Sequence, residues 1–125
     1  MLDSSVILAA ILGEPGGDDV FERIEDALVS TVNVAEVYTY AAVNGFPTAA
    51  IDSFFDDTGI EIVKHSFEQA VATGKMAATT RKAGLSLGDR ACLALAQSKQ
   101  AEVLTADRIW VDFASELGLS IRLLR

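Results

Sequence analysis

Four acidic residues stand beside short apolar segments: Asp3 in MLDSSV, Glu36 in TVNVAEV, Asp89 in SLGDRA and Asp107 in VLTADRIW. If gathered on one rim, these carboxylates would repel one another unless protons or a divalent cation neutralised them. The chain has a single His, His65, and a single Cys, Cys92, so zinc held by imidazoles or thiolates is excluded. Metal chemistry must run on oxygen ligands, which selects Mg2+ or Mn2+. Hydrated Mg2+ held by a few carboxylates, with a substrate phosphate completing its shell, would hydrolyse phosphodiesters.

Each acid also reads as the opening of a helix. Ser86-x-x-Asp89 and Asn33-x-x-Glu36 have the spacing of capping boxes, and Asp3 and Asp107 suit plain N-caps. A carboxylate there also gains ~0.3–1 kcal/mol from the helix dipole. Spacing leaves both readings open; the elements that carry the acids must decide between them.

Those elements alternate between short apolar runs and longer helical stretches. Met1-Leu2 reads as the end of a strand, SSVILAAIL as a helix stopped by Gly13, and DDVFERIEDA as an amphipathic helix with Val20, Ile24, Ala27 and Leu28 inward. ALVS is a strand, TVNVAEVYTYAAVNG a helix ended by Gly45, TAAIDSFFDD another helix, and GIEIV a strand. The pattern predicts a long helix from Ser66 to about Lys82, then the apolar helix LGDRACLALAQSK, the strand AEVLT, the helix DRIWVDFASELG and the strand LSIRLL. Alternation of this kind predicts an α/β sandwich around a mostly parallel sheet, flanked by helices. In such a sheet, loops at the carboxyl ends of the strands form the ligand crevice. Asp3 and Asp107 directly follow strand segments, Glu36 lies within about two helical turns of one, and Asp89 opens the helix that feeds AEVLT.

The order Asp3-Ser4-Ser5, Asn33-x-x-Glu36, Ser86-Leu87-Gly88-Asp89-Arg90-Ala91 and Leu104-Thr105-Ala106-Asp107-Arg108-x-Trp110 resembles the PIN domain, and most closely the VapC-type ribonuclease toxins of bacterial toxin–antitoxin pairs. The resemblance covers essentially the whole chain; SLGDRACLALA with LTADRIW is its specific part. It implies a PIN-like three-layer sandwich and a Mg2+ (or Mn2+) site that cleaves RNA, with the family's acids on Asp3, Glu36, Asp89 and Asp107. Ser4 and Thr105 match its hydroxyl positions, where they would orient carboxylates or metal-bound water. It further implies a homodimer held inactive by an antitoxin covering or entering the acidic groove. One departure is the first strand: only Met1 and Leu2 precede Asp3, so a firm site requires both to pair in the sheet.

Composition sets the remaining limits. The 125 residues, half of them hydrophobic, suit one globular domain spanning 1–125. No apolar run is long enough to cross a bilayer, no secretory leader is evident, and one cysteine allows no internal disulfide, which together predict a cytoplasmic protein. A net charge of −8 disfavours clamping RNA by phosphate contacts alone and suits bound cations or a basic antitoxin segment. Arg90 and Arg108 each follow a site acid and read equally as phosphate contacts or as partners of carboxylates. Asp112 reads as a solvated helix acid, Trp110 as a core anchor, Cys92 as a buried filler, and His65 as a loop residue. Tyr38, Tyr40, Phe54 and Phe55 read as core packing. Two alternatives compete with the ribonuclease: a phospho-receiver domain, and a PIN-like domain that only binds partners. A receiver needs an acceptor Asp ending its third strand and a Lys after its fifth, and GIEIVKH and LSIRLLR supply neither.

Overall fold

The computed structural model describes residues 1–124. Its sheet is assembled from very short segments. Strands β1 (Leu28–Ser30) and β2 (Glu61–Val63) pair in parallel, as do β3 (Val103–Thr105) and β4 (Ile121–Leu123). The N-terminal segment joins the two pairs: Leu2 bridges in parallel to Leu104, its amide donates to Leu28 O (2.9 Å), and the Leu104 amide donates to Met1 O (2.8 Å). Lateral order is therefore β2, β1, Met1–Asp3, β3, β4, with β1–β2, β3–β4 and the Leu2–Leu104 bridge all parallel. The condition that Met1 and Leu2 pair well is met, since both are buried and the Met1 ammonium donates to Glu102 O at 2.7 Å.

Successive residues of a strand face opposite sides of a sheet, and here they feed two cores. Leu2, Val29 and Leu104 enter one core, with Val6, Ile7, Val37, Ile51 and Phe54. Met1, Leu28 and Val103 turn the other way, towards Cys92–Ala96 and Trp110. The first core is covered by α1 (Ser4–Leu12), α2 (Gly17–Glu22), α3 (Thr31–Asn44) and α4 (Thr48–Thr58). The second is covered by α5 (Phe67–Lys75) and α7 (Leu87–Lys99), between which lies the short α6 (Ala77–Thr80). Helices thus flank both faces of a parallel sheet, as the sequence predicts. Near the N-terminus α1 and α2 approach so closely that a Cβ on Gly17 would lie 2.4 Å from Ala9 O; glycine is what permits that contact.

Two long helices expected from the sequence are broken. The stretch 66–82 ends its first helix at Lys75, with Met76 as cap, and reaches Gly84 through α6 and a 3-10 turn, Arg81–Ala83. Gly74, Thr79 and Thr80 are weak helix formers, which lets the chain turn there. After Asp107 comes a 3-10 segment, Arg108–Phe113, before α8 (Ala114–Leu117). Along this segment Trp110 is completely buried, while Ile109, Val111 and Asp112 are exposed. The helix DDVFERIEDA likewise ends at Glu22 and continues as a 3-10 turn, Ile24–Asp26. No described helix is long and apolar enough to cross a membrane.

Candidate functional site

The carboxyl ends of the central strands meet at Asp3 and Thr105. Asp3 caps α1, its Oδ1 accepting from the Val6 amide (3.0 Å) and from the Ser5 hydroxyl (2.7 Å). Oδ2 accepts from the Thr105 hydroxyl at 2.8 Å. Each of these hydroxyls accepts in turn from a backbone amide of the loop after β3: Ser5 Oγ from Ala106 (3.3 Å) and Thr105 Oγ1 from Asp107 (3.1 Å). Asp3 is only 4% exposed. Burial therefore raises its pKa to about 6, against the pull of these hydrogen bonds and with a further push from the Asp89 charge. The hydroxyls that orient Asp3 are those of Ser5 and Thr105; Ser4, expected to orient carboxylates or metal-bound water, is the first residue of α1 and bonds to no carboxylate among the described residues.

Glu36 is placed by α3. That helix is capped by Ser30, whose side chain accepts from the Val32 amide, so Asn33 lies inside the first turn and the capping-box reading of Asn33-x-x-Glu36 fails. Instead the Asn33 amide nitrogen donates to Glu36 Oε1 (2.7 Å) and to Gly88 O (3.0 Å) on α7. The Glu36 carboxylate lies over Gly88, and a Cβ there would fall 2.3–2.4 Å from its carboxylate atoms. Sequence spacing alone gave Asn33 and Gly88 no such role. The only local signal was a polar residue one helical turn before Glu36, next to an otherwise apolar run.

Asp89 forms the expected capping box: its amide donates to Ser86 Oγ (3.1 Å) and its Oδ2 accepts from the Ser86 amide (2.9 Å). Capping therefore holds this acid without hiding it. Beneath lies Cys92, fully buried, its thiol pushed well up by burial first and then by the charges of Asp3, Asp89 and Glu36, against the N-terminal ammonium. The charges of all three acids thus act on one buried thiol, which burial favours in its protonated form. Asp107 joins differently. Its amide is tied to Thr105, while its carboxylate caps the 3-10 segment by accepting from the Ile109 amide (3.0 Å).

The flanking arginines separate. Arg90 Nη1 donates to Thr73 O (3.0 Å) at the end of α5, and neither Arg90 nor Arg108 pairs with a carboxylate among the described residues. His65 is a loop residue whose amide donates to Thr31 Oγ1 (3.0 Å). Phe54 is buried, with Tyr38 and Phe55 packed against the same core.

Among the described residues, no group of three or more His, Cys, Asp or Glu side chains forms a ready-made metal cage. Mg2+ does not require one, because it keeps several waters and binds through one or two carboxylates plus substrate phosphate. The residues present offer oxygen donors of the kind such an ion takes: Asp3, whose carboxylate feels the Asp89 charge, and Glu36, lodged in the space above Gly88.

Comparison with known proteins agrees with this architecture. Residues 1–116 match the PIN domain. The fold is similar to a chain of VapBC2 from Rickettsia felis bound to a DNA fragment from its promoter, with TM-score 0.76, 15% identity, and coverage of 98% of this chain and 96% of that one. It is also similar to a chain of a toxin–antitoxin complex from Klebsiella pneumoniae, with TM-score 0.70, 20% identity, and coverage of 99% and 96%. No curated protein matches the chain. A match across nearly the whole length removes the phospho-receiver alternative. With a parallel sheet between two helical layers and acids at its carboxyl edge, the chain belongs to the PIN domain family.

Proposed function

We propose that this chain is a VapC-type toxin: a single-domain, Mg2+- or Mn2+-dependent endoribonuclease, restrained by a cognate antitoxin. The observation that carries the reading is the buried Asp3 carboxylate at the sheet's carboxyl edge, fixed by Ser5, Val6 and Thr105 and subject to the charge of Asp89. A buried carboxylate next to another favours a bound cation over two free charges. Asp3, Asp89 and Glu36 would hold the ion, with Asp107 at the rim. The ion, when bound, supplies a water of lowered pKa and stabilises charge on the scissile phosphate.

The chain's own residues prepare that chemistry. Thr105 and Ser5 fix both Asp3 oxygens, so this ligand needs no reorientation on binding. The Ser86 box fixes Asp89, and Asn33 fixes Glu36. Arg108 is exposed and free of carboxylate partners among the described residues, which supports a contact with RNA phosphate.

The structural relatives support the antitoxin partner, being toxin–antitoxin complexes. The net charge of −8 and the acids Asp18, Asp19, Glu22, Glu25 and Asp26 favour a basic antitoxin segment. Phe67, Val71 and Leu87 are large exposed apolar residues and support a homodimer. Cytoplasmic residence follows from this role.

Incubation of the purified chain with structured RNA tests the reading. Cleavage is expected with Mg2+ or Mn2+ and should be lost in Asp89→Asn. If the wild type cuts nothing with either ion, the chain is a partner-binding PIN domain instead.

A further inference from the structure

The geometry around Glu36 points to Asn33 and Gly88 as a paired positioning device for that carboxylate, an inference that rests on the metal-site reading above. Asn33 is only 1% exposed, and its amide nitrogen bridges Glu36 Oε1 and Gly88 O. Both partners are acceptors, so the orientation of the amide is fixed: turning it over would face its oxygen against two oxygens. Asn33 Oδ1 is buried without a hydrogen-bond partner. A buried amide that leaves its own carbonyl unsatisfied loses stability, and what its placement gains is the hold on Glu36.

Gly88 completes the device from the other helix. Its missing side chain is the space that the Glu36 carboxylate fills, all three of its terminal atoms lying within 2.4 Å of where a Cβ would stand. The Asn33 bond to Gly88 O then ties α3 to the first turn of α7, one residue before Asp89. Two metal-site acids from different helices are thereby held in one fixed relation. Asn33 touches neither substrate nor ion; it acts only through Glu36.

Mn2+ binding to the full chain without RNA, read by the electron paramagnetic resonance of free Mn2+, provides the test. Asn33→Ala and Gly88→Ala should each raise the half-saturating Mn2+ concentration by about 10–100-fold, the range seen when residues supporting a metal ligand are removed. Gly88→Ala keeps the test sound if Asn33→Ala fails to fold, because the atoms nearest its new Cβ are the end of the Glu36 side chain, which can swing aside. In a Glu36→Ala background, which removes the side chain that Asn33 holds, Asn33→Ala should change the affinity by less than about twofold, because nothing would remain for it to position. A purely structural Asn33 would give the same loss in both backgrounds. Wild-type affinity in a folded Gly88→Ala, or an equal loss from Asn33→Ala with and without Glu36→Ala, overturns the inference and leaves the metal site standing. Absence of Mn2+ binding by the wild type overturns the metal reading itself, and this inference with it.

Discussion

Thr105 donates its hydroxyl hydrogen to Asp3 Oδ2 at 2.8 Å and accepts the Asp107 amide on the same oxygen at 3.1 Å. One side chain thus joins a central sheet segment, the end of β3 and the turn that carries the last acid of the site. Local sequence shows only a threonine two residues before an aspartate.

Thr105→Val keeps the shape and removes both bonds. Asp3 Oδ2 and the Asp107 amide then lose their partners in a buried setting, at a cost of about 1–3 kcal/mol for each group left unsatisfied. The lost hydroxyl would also raise the Asp3 pKa further, since that bond now lowers it. Urea unfolding should show the loss for Thr105→Val and a much smaller one for Thr105→Ser.

Asp3 makes the metal-free protein less stable above weakly acidic pH. Its carboxyl titrates at about 6 when folded, against an ordinary value of 3.8. The folded state holds the proton more tightly, so stability falls as pH rises from about 4 to 6, by about 3 kcal/mol at full ionisation. Asp3→Asn removes that titration. Without metal, the variant's melting temperature at pH 7 should equal or exceed that of the wild type, and its decline between pH 4 and 6 should flatten. Added Mg2+ should raise the wild-type melting temperature and leave Asp3→Asn unmoved.

Away from the site, the Tyr38 hydroxyl donates to Asp52, and that bond, with smaller contributions from burial and nearby acids, pushes the phenol up to about 12. Asp52→Asn should bring Tyr38 back towards the usual value of 10. Ultraviolet titration of the phenolate, compared with Tyr38→Phe to identify the signal, would read the change.

The parallel sheet flanked by helices was legible in the sequence, because it rests on short local patterns: apolar runs of strand length and glycine stops at Gly13 and Gly45; the placing of Asp3 and Asp107 just after strands was legible in the same way. At Asp89 the capping box fixes the backbone through Ser86 while the carboxylate's charge still reaches Asp3, so capping leaves room for the proposed metal role. Ser5, Asn33 and Gly88 were not legible in these roles. Each also has a partner on another element, 55 residues away for Asn33 with Gly88 and 101 for Ser5 with Ala106, and spacing along one helix carries no information about such contacts. The broken helices at 66–82 and after Asp107 were missed for a related reason. Trp110 is buried within a 3-10 turn that periodicity alone does not distinguish from the start of an α-helix.

The most direct test of the site is single-turnover cleavage of a structured RNA in Mn2+ by Asp89→Asn, Glu36→Gln and the double variant. Ligands of one ion act as a unit, so each single change should lower the rate steeply and the double change should add little beyond the worse single. Cleavage by Asp89→Asn at the wild-type rate, with equal dependence on Mn2+, would contradict the account.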